Sequence, residues 1–124
     1  MSYQWDNKKP TAQMLGRWQP FHDGHYKLFK EIIKKTGQVC IQIRDVQGVD
    51  DNPFDFDTVK KNIEDRLNPE FEGRFKVIVV PNITNICYGR GVGYKIEEIV
   101  LDEETQKISA TKIRAKMRKE GKLK

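Results

Sequence analysis

Apolar residues along the first two thirds of the chain alternate, recur at helical spacing, and alternate again, and the order of these patterns predicts the fold. Between Thr11 and Trp18, the apolar residues Met14, Leu15 and Trp18 lead into Gly16-Arg17-Trp18-Gln19-Pro20, as a short strand running into a turn would. From Asp23, a residue suited to cap a helix, Leu28, Phe29, Ile32 and Ile33 repeat with helical spacing, Lys27, Lys30, Lys34 and Lys35 project elsewhere, and Gly37 stops the run. Val39, Ile41 and Ile43 then alternate with Cys40 and Gln42, which predicts a second strand ending at Arg44-Asp45 before a polar loop through Asn52-Pro53. Phe56, Val59, Ile63 and Leu67 restore the helical spacing, with Pro69 expected just past the helix end. Phe75 to Val80, rich in apolar and β-branched residues, suits a strand buried on both faces of a parallel sheet.

Strand, helix, strand, helix, strand in that order implies βαβ crossovers. The expected fold is α/β, a single Rossmann-like domain with a parallel sheet flanked by helices. Residues 1–10 read as a polar lead-in and 11–124 as the domain, a length that can bury a real core without disulfides or a structural metal. The pattern weakens between Ile83 and Lys107. There Tyr94, Ile96, Ile99, Val100 and Leu101 fit a strand or mixed elements, and Asp102-Glu103-Glu104 reads as a solvated break. Ile108-Ser109-Ala110-Thr111 then opens a last helix with hydroxyl residues suited to a cap, and Ile113 and Met117 share one of its faces.

Hydrophobic residues at 37% and charged ones at 33% describe a well-solvated globular protein, and no apolar run approaches a membrane span. The first ten residues lack the apolar core of a signal peptide, so a cytoplasmic location is expected. Cys40 and Cys87 lie in apolar segments without metal-like spacing and read as buried, reduced thiols. The net charge of +5 is uneven: from Lys112 onward seven basic residues face the single acid Glu120, and the rest of the chain is close to neutral. Any partner of that end should be anionic.

The only two histidines fall within Phe21-His22-Asp23-Gly24-His25, at the turn joining the first strand to the first helix. In an open parallel sheet, ligands collect at the carboxyl ends of the strands, where this turn lies. Neutral imidazoles can donate ring N–H groups to a polyphosphate, Gly24 lets phosphate approach the backbone, and exposed helix N–H groups would add a positive dipole end. Ser109 and Thr111 offer hydroxyls at another helix start, and Arg114, one turn on, can fork two phosphate oxygens. Paired histidines could instead hold a metal, but with no third histidine no metal site is assigned.

His22-x-Gly24-His25 and Ile108-Ser109-Ala110-Thr111-Lys112-Ile113-Arg114 together resemble the HxGH and ISxTxxR signatures of the nucleotidyltransferase α/β phosphodiesterase superfamily. The resemblance covers about a dozen residues directly, and the order of elements agrees with it. It implies transfer of NMP from an NTP to a small phosphorylated acceptor with release of pyrophosphate. His22 and His25 would be catalytic, and Gly16, Arg17, Gly24, Ser109, Thr111 and Arg114 would bind nucleotide. Mg2+ would ride on the triphosphate. Lys27 matches a lysine that often follows HxGH in cytidylyltransferases; Arg44, at the end of the second strand, could meet an anionic acceptor or pair with Asp45. Arg90, in Gly89-Arg90-Gly91-Val92-Gly93, is a weaker phosphate candidate beside the reading of that loop as a flexible turn. Relatives of this size often pair, so a homodimer is also implied.

On the base, the resemblance divides. Gly16-Arg17-Trp18-Gln19-Pro20-Phe21 and Asn52-Pro53-Phe54 are similar to nicotinamide mononucleotide adenylyltransferases and favour ATP. The short run after the second motif is similar to cytidylyltransferases and favours CTP, although Thr105-Gln106-Lys107 stands where their arginine would be. The alternative from another class is a catalytically inactive nucleotide sensor or nucleic-acid-binding module using the basic end. Nucleic acid is the less favoured partner, and a membrane is not expected.

Overall fold

In a computed structural model, the described residues are 3–46, 52–91 and 93–121. They form β1 (Ala12–Gly16), α1 (Asp23–Thr36), β2 (Val39–Arg44), α2 (Phe56–Phe71), β3 (Phe75–Val80), α3 (Glu103–Gln106) and α4 (Ala110–Lys119). The strands make one parallel sheet in the order β1-β2-β3, with Met14 opposite Ile41 and Ile41 opposite Val77. Helices flank this sheet in the Rossmann-like α/β arrangement expected from the pattern.

The core follows from the two periodicities. Met14, Val39, Ile41 and Ile43 point one way from the pleated sheet, and Phe29, Ile32 and Ile33 of α1 with Val59, Ile63 and Leu67 of α2 close over them. Phe29 ties three elements together, meeting Phe71 edge-on at 5.1 Å and Phe75 at 6.1 Å between ring centroids. Gly37 takes φ 81° and ends α1 with its N–H on the Ile33 carbonyl, a left-handed cap that a Cβ would oppose.

Several expectations need correction. Helix α1 is capped by His22, with Asp23 its first helical residue, because the His22 ring reaches the free N–H groups itself. Pro69 lies inside α2. The turn beyond it persists because Phe71 packs on Phe29 and the Tyr26 hydroxyl donates to Glu70, contacts that offset the hydrogen bond proline cannot make. Strand β3 is an edge strand, not one buried on both faces: Ile78 and Val79 are 41% and 46% exposed. Asp102 is no simple break, since it caps α3 by accepting from Thr105 N at 2.7 Å. Residues 81–102, as far as described, hold no strand, and Cys87 there is exposed while Cys40 is half-buried; neither is the buried thiol expected.

The polar residues before β1 are anchored. Gln38, fully buried between α1 and β2, accepts from the Tyr3 hydroxyl and Asp6 N–H and donates to the Asp6 carbonyl and the Thr11 hydroxyl. Among the described residues no helix is long and apolar enough to cross a membrane.

Candidate functional site

The β1–α1 turn is shaped first by Trp18, which adopts φ 54° and folds its ring back over Gly16. A Cβ at Gly16 would lie 2.7 Å from that ring, so glycine is what permits the fold-back. The indole N–H donates to the Gln42 carbonyl at 3.1 Å, and the ring meets His25 edge-on at 4.7 Å. Arg17, between the two, is exposed.

His22 and His25 form a reciprocal capping box. His22 Nδ1 accepts from Gly24 N at 3.0 Å and His25 N at 3.4 Å, while His25 Nδ1 accepts from His22 N at 3.2 Å. The rings stack with centroids 3.6 Å apart and 17° between planes. An imidazole accepting at Nδ1 in its neutral form carries its proton on Nε2. Burial lowers the pKa of His22, partly opposed by the Asp23 carboxylate. Burial and the His22 charge push His25 down to about 3, against a backbone hydrogen bond at Pro20. Both rings are therefore neutral at pH 7. The N–H groups of Gly24 and His25, expected to be open to an anion, are instead capped by the His22 ring.

Gly24 is buried where the two sequence motifs meet. A Cβ placed on it would lie 2.8 Å from His22 Cε1 and 3.6 Å from Ile108 Cβ, so the start of α4 closes against the start of α1. Ser109 caps α4 by accepting from Lys112 N at 3.4 Å. Arg114, only 3% exposed, donates to the Thr111 hydroxyl at 3.3 Å and to the Gln19 carbonyl at 2.5 Å. Lys27 lies on the same flank, its Nζ 3.3 Å from the Thr105 hydroxyl, three residues before Ile108. On the other flank a shallow depression of about 460 Å³ runs between α1 and α2, walled by Phe21, His22, Asp23, Asn62, Asp65 and Arg66.

The remaining candidates lie apart from this junction. Arg44, the last residue of β2, forks Nε and a terminal nitrogen onto Asn82 Oδ1 at 3.2 and 2.8 Å, just past the end of β3. Arg90 is exposed on the irregular connection after β3, and Val92 of the same glycine-rich stretch lies outside the described residues. Among the described residues no three His, Cys, Asp or Glu side chains converge on a metal position.

Sequence reasoning passed over Gln19 and Asn52. Gln19 is 2% exposed and pairs its amide both ways with the Phe54 backbone, donating to its carbonyl at 2.8 Å and accepting from its N–H at 2.9 Å. Asn52, also buried, has no hydrogen-bond partner for its Oδ1 among the described residues. The signal for Gln19 was its place between Gly16 and the histidines. For Asn52 it was membership of Asn52-Pro53-Phe54, which carried the resemblance to adenylyltransferases without marking the side chain itself.

The fold and this junction define a Rossmann-like α/β protein whose polar cluster sits after the carboxyl end of β1. Part of the chain is similar to enzymes named nicotinamide-nucleotide adenylyltransferase. One from Methanococcus aeolicus is 44% identical over 45 residues, 35% of this chain and 26% of that protein. Two from strains of Methanococcus maripaludis are 44% identical over 36 residues, 29% of this chain and 21% of each relative. The aligned stretch thus spans about a quarter of the curated relatives' length. No protein-family model matches the chain. The partial identities support a nucleotidyltransferase-like relationship.

Proposed function

We propose that the chain is a nucleotidyltransferase that moves AMP from ATP to a small phosphate-bearing acceptor and releases pyrophosphate. The observation that carries this reading is the junction at Gly24, where a neutral histidine pair adjoins a helix start bearing Ser109, Thr111 and the buried Arg114. The names of the relatives and the Gly16 to Phe21 turn favour ATP over CTP, and nicotinamide nucleotide is the first acceptor to try.

An oxygen of the acceptor phosphate attacks the α-phosphorus; a new P–O bond forms as the bond to the bridging oxygen breaks, and pyrophosphate leaves with the displaced electron pair. Negative charge grows on the non-bridging and leaving oxygens. His22 answers it as an Nε2–H donor, His25 does the same by exchanging its backbone hydrogen bond at Pro20 for one to phosphate, and neutrality spares both any dependence on a titrating proton near pH 7. Arg114, with the hydroxyls of Ser109 and Thr111, holds the β- and γ-phosphates, and Lys27 adds positive charge on the same flank. Magnesium arrives as part of the substrate, on the triphosphate. No covalent intermediate is needed, since aligning two bound reactants supplies several kcal/mol of the barrier reduction.

The test is His25→Ala in a pyrophosphate-release assay with ATP and nicotinamide nucleotide. Loss of a transition-state donor should lower kcat about 10²–10³-fold. Turnover equal to the parent protein would remove His25 from catalysis.

A further inference from the structure

We propose that Gln19 is a positioning residue of this site, its amide locking the Asn52–Phe54 loop to the β1–α1 turn while its carbonyl holds the Arg114 guanidinium for triphosphate. The inference rests on the nucleotidyltransferase reading and adds to it a residue that touches neither phosphate nor base.

Three parts of the chain meet at Gln19. The side chain reaches a loop 35 residues away and makes two hydrogen bonds to the backbone of one residue, Phe54, so the amide can neither rotate nor flip without losing both. The main-chain oxygen accepts from Arg114, 95 residues away, at 2.5 Å. With the residue 2% exposed, water cannot easily replace any of these partners.

An arginine side chain has many rotamers, and a phosphate that must order them binds more weakly. Arg114 is spared that cost when one nitrogen rests on a fixed carbonyl and another on the Thr111 hydroxyl. The carbonyl stays fixed only while the turn bearing it is held, and the Gln19 amide holds it. Glutamine is suited to this because one planar group both donates and accepts. A glutamate would keep the bond from Phe54 N–H and lose the one to the Phe54 carbonyl. A methionine would fill the space and lose both.

The experiment measures calorimetric binding of inorganic tripolyphosphate and of ATP, together with steady-state pyrophosphate release, for the parent chain, Gln19→Met, Arg114→Lys and the double variant. Gln19→Met should bind tripolyphosphate about tenfold more weakly and raise KM for ATP more than it lowers kcat. In the double variant the losses should fall well short of additive, because one change acts through the other. Tripolyphosphate affinity unchanged in Gln19→Met, or fully additive losses, overturns the inference. Gln19→Glu, which keeps the volume and one of the two bonds, serves if Gln19→Met does not fold, and parent-like affinity there overturns it equally. A parent chain that binds neither tripolyphosphate nor ATP overturns the functional reading itself, whereas binding that is indifferent to Gln19 overturns only this addition.

Discussion

Two imidazoles stacked face to face cannot easily both carry protons, and this gives the folded chain a definite response to acid. His25 is held down at about 3 from an ordinary value of 6.5, and His22 is lowered as well. Between those pH values the unfolded chain binds more protons than the folded one, so stability from this source is complete above about 6.5 and is lost progressively toward 3. Melting temperature should therefore fall between pH 7 and pH 5, above the range where ordinary carboxylates titrate. His25→Gln should flatten the decline, and a parent profile already flat over that interval would contradict the buried pair. The same scale shows what the sequence could not display. That His22, Gly24 and His25 lie together at one turn was evident from their spacing, but the reciprocal ring-to-backbone bonds depend on side-chain rotation, which spacing does not specify. Asp23 is the commoner type of cap, and the neighbouring imidazole takes the position from it because its Nδ1 reaches two N–H groups at once.

At the scale of elements, hydrophobic period carried the reading. Three strands and the helices between them emerged because one face of each must be apolar to reach the common core, and α4 emerged from its hydroxyl cap and the Ile113–Met117 pair. Pro69 was misplaced because tertiary contacts at Phe71 and Glu70 outweigh a local helix-breaking preference. Connections held by single polar residues left no periodic trace. Gln38 is the clearest case, since its four side-chain hydrogen bonds join the segment before β1 to the α1–β2 junction. Gln38→Leu would strand the Asp6 carbonyl and Thr11 hydroxyl beside an apolar side chain. A loss of about 2 kcal/mol or more is expected in urea unfolding, and a change below about 0.5 kcal/mol would show that those groups find other partners.

Over the whole molecule, the sheet has a well-covered centre and a bare margin. β2 carries three fully buried apolar residues, Val39, Ile41 and Ile43, whereas β3 exposes Ile78 and Val79. A run such as Phe75 to Val80 cannot reveal this, because burial depends on which later element covers the strand, and residues 81–102 contribute no described strand or helix to do so. Ile78→Lys should therefore change stability by no more than about 0.5 kcal/mol in denaturant titration, whereas a strand covered on both faces would lose several. The two motifs, by contrast, lie far apart in the chain and were paired by resemblance alone; the fold supplies the physical reason, bringing Ile108 against Gly24.

The stacked rings at the start of α1 also carry a magnetic consequence. Each imidazole lies over the face of the other at 3.6 Å, so each should shield its neighbour's carbon-bound protons and move their NMR resonances upfield. The chain contains no other histidine, which leaves two such spin systems and no overlap with others of their kind. A polyanion that turned either ring would move both sets of lines, and a bystander binding elsewhere would move neither. The site thus contains its own label.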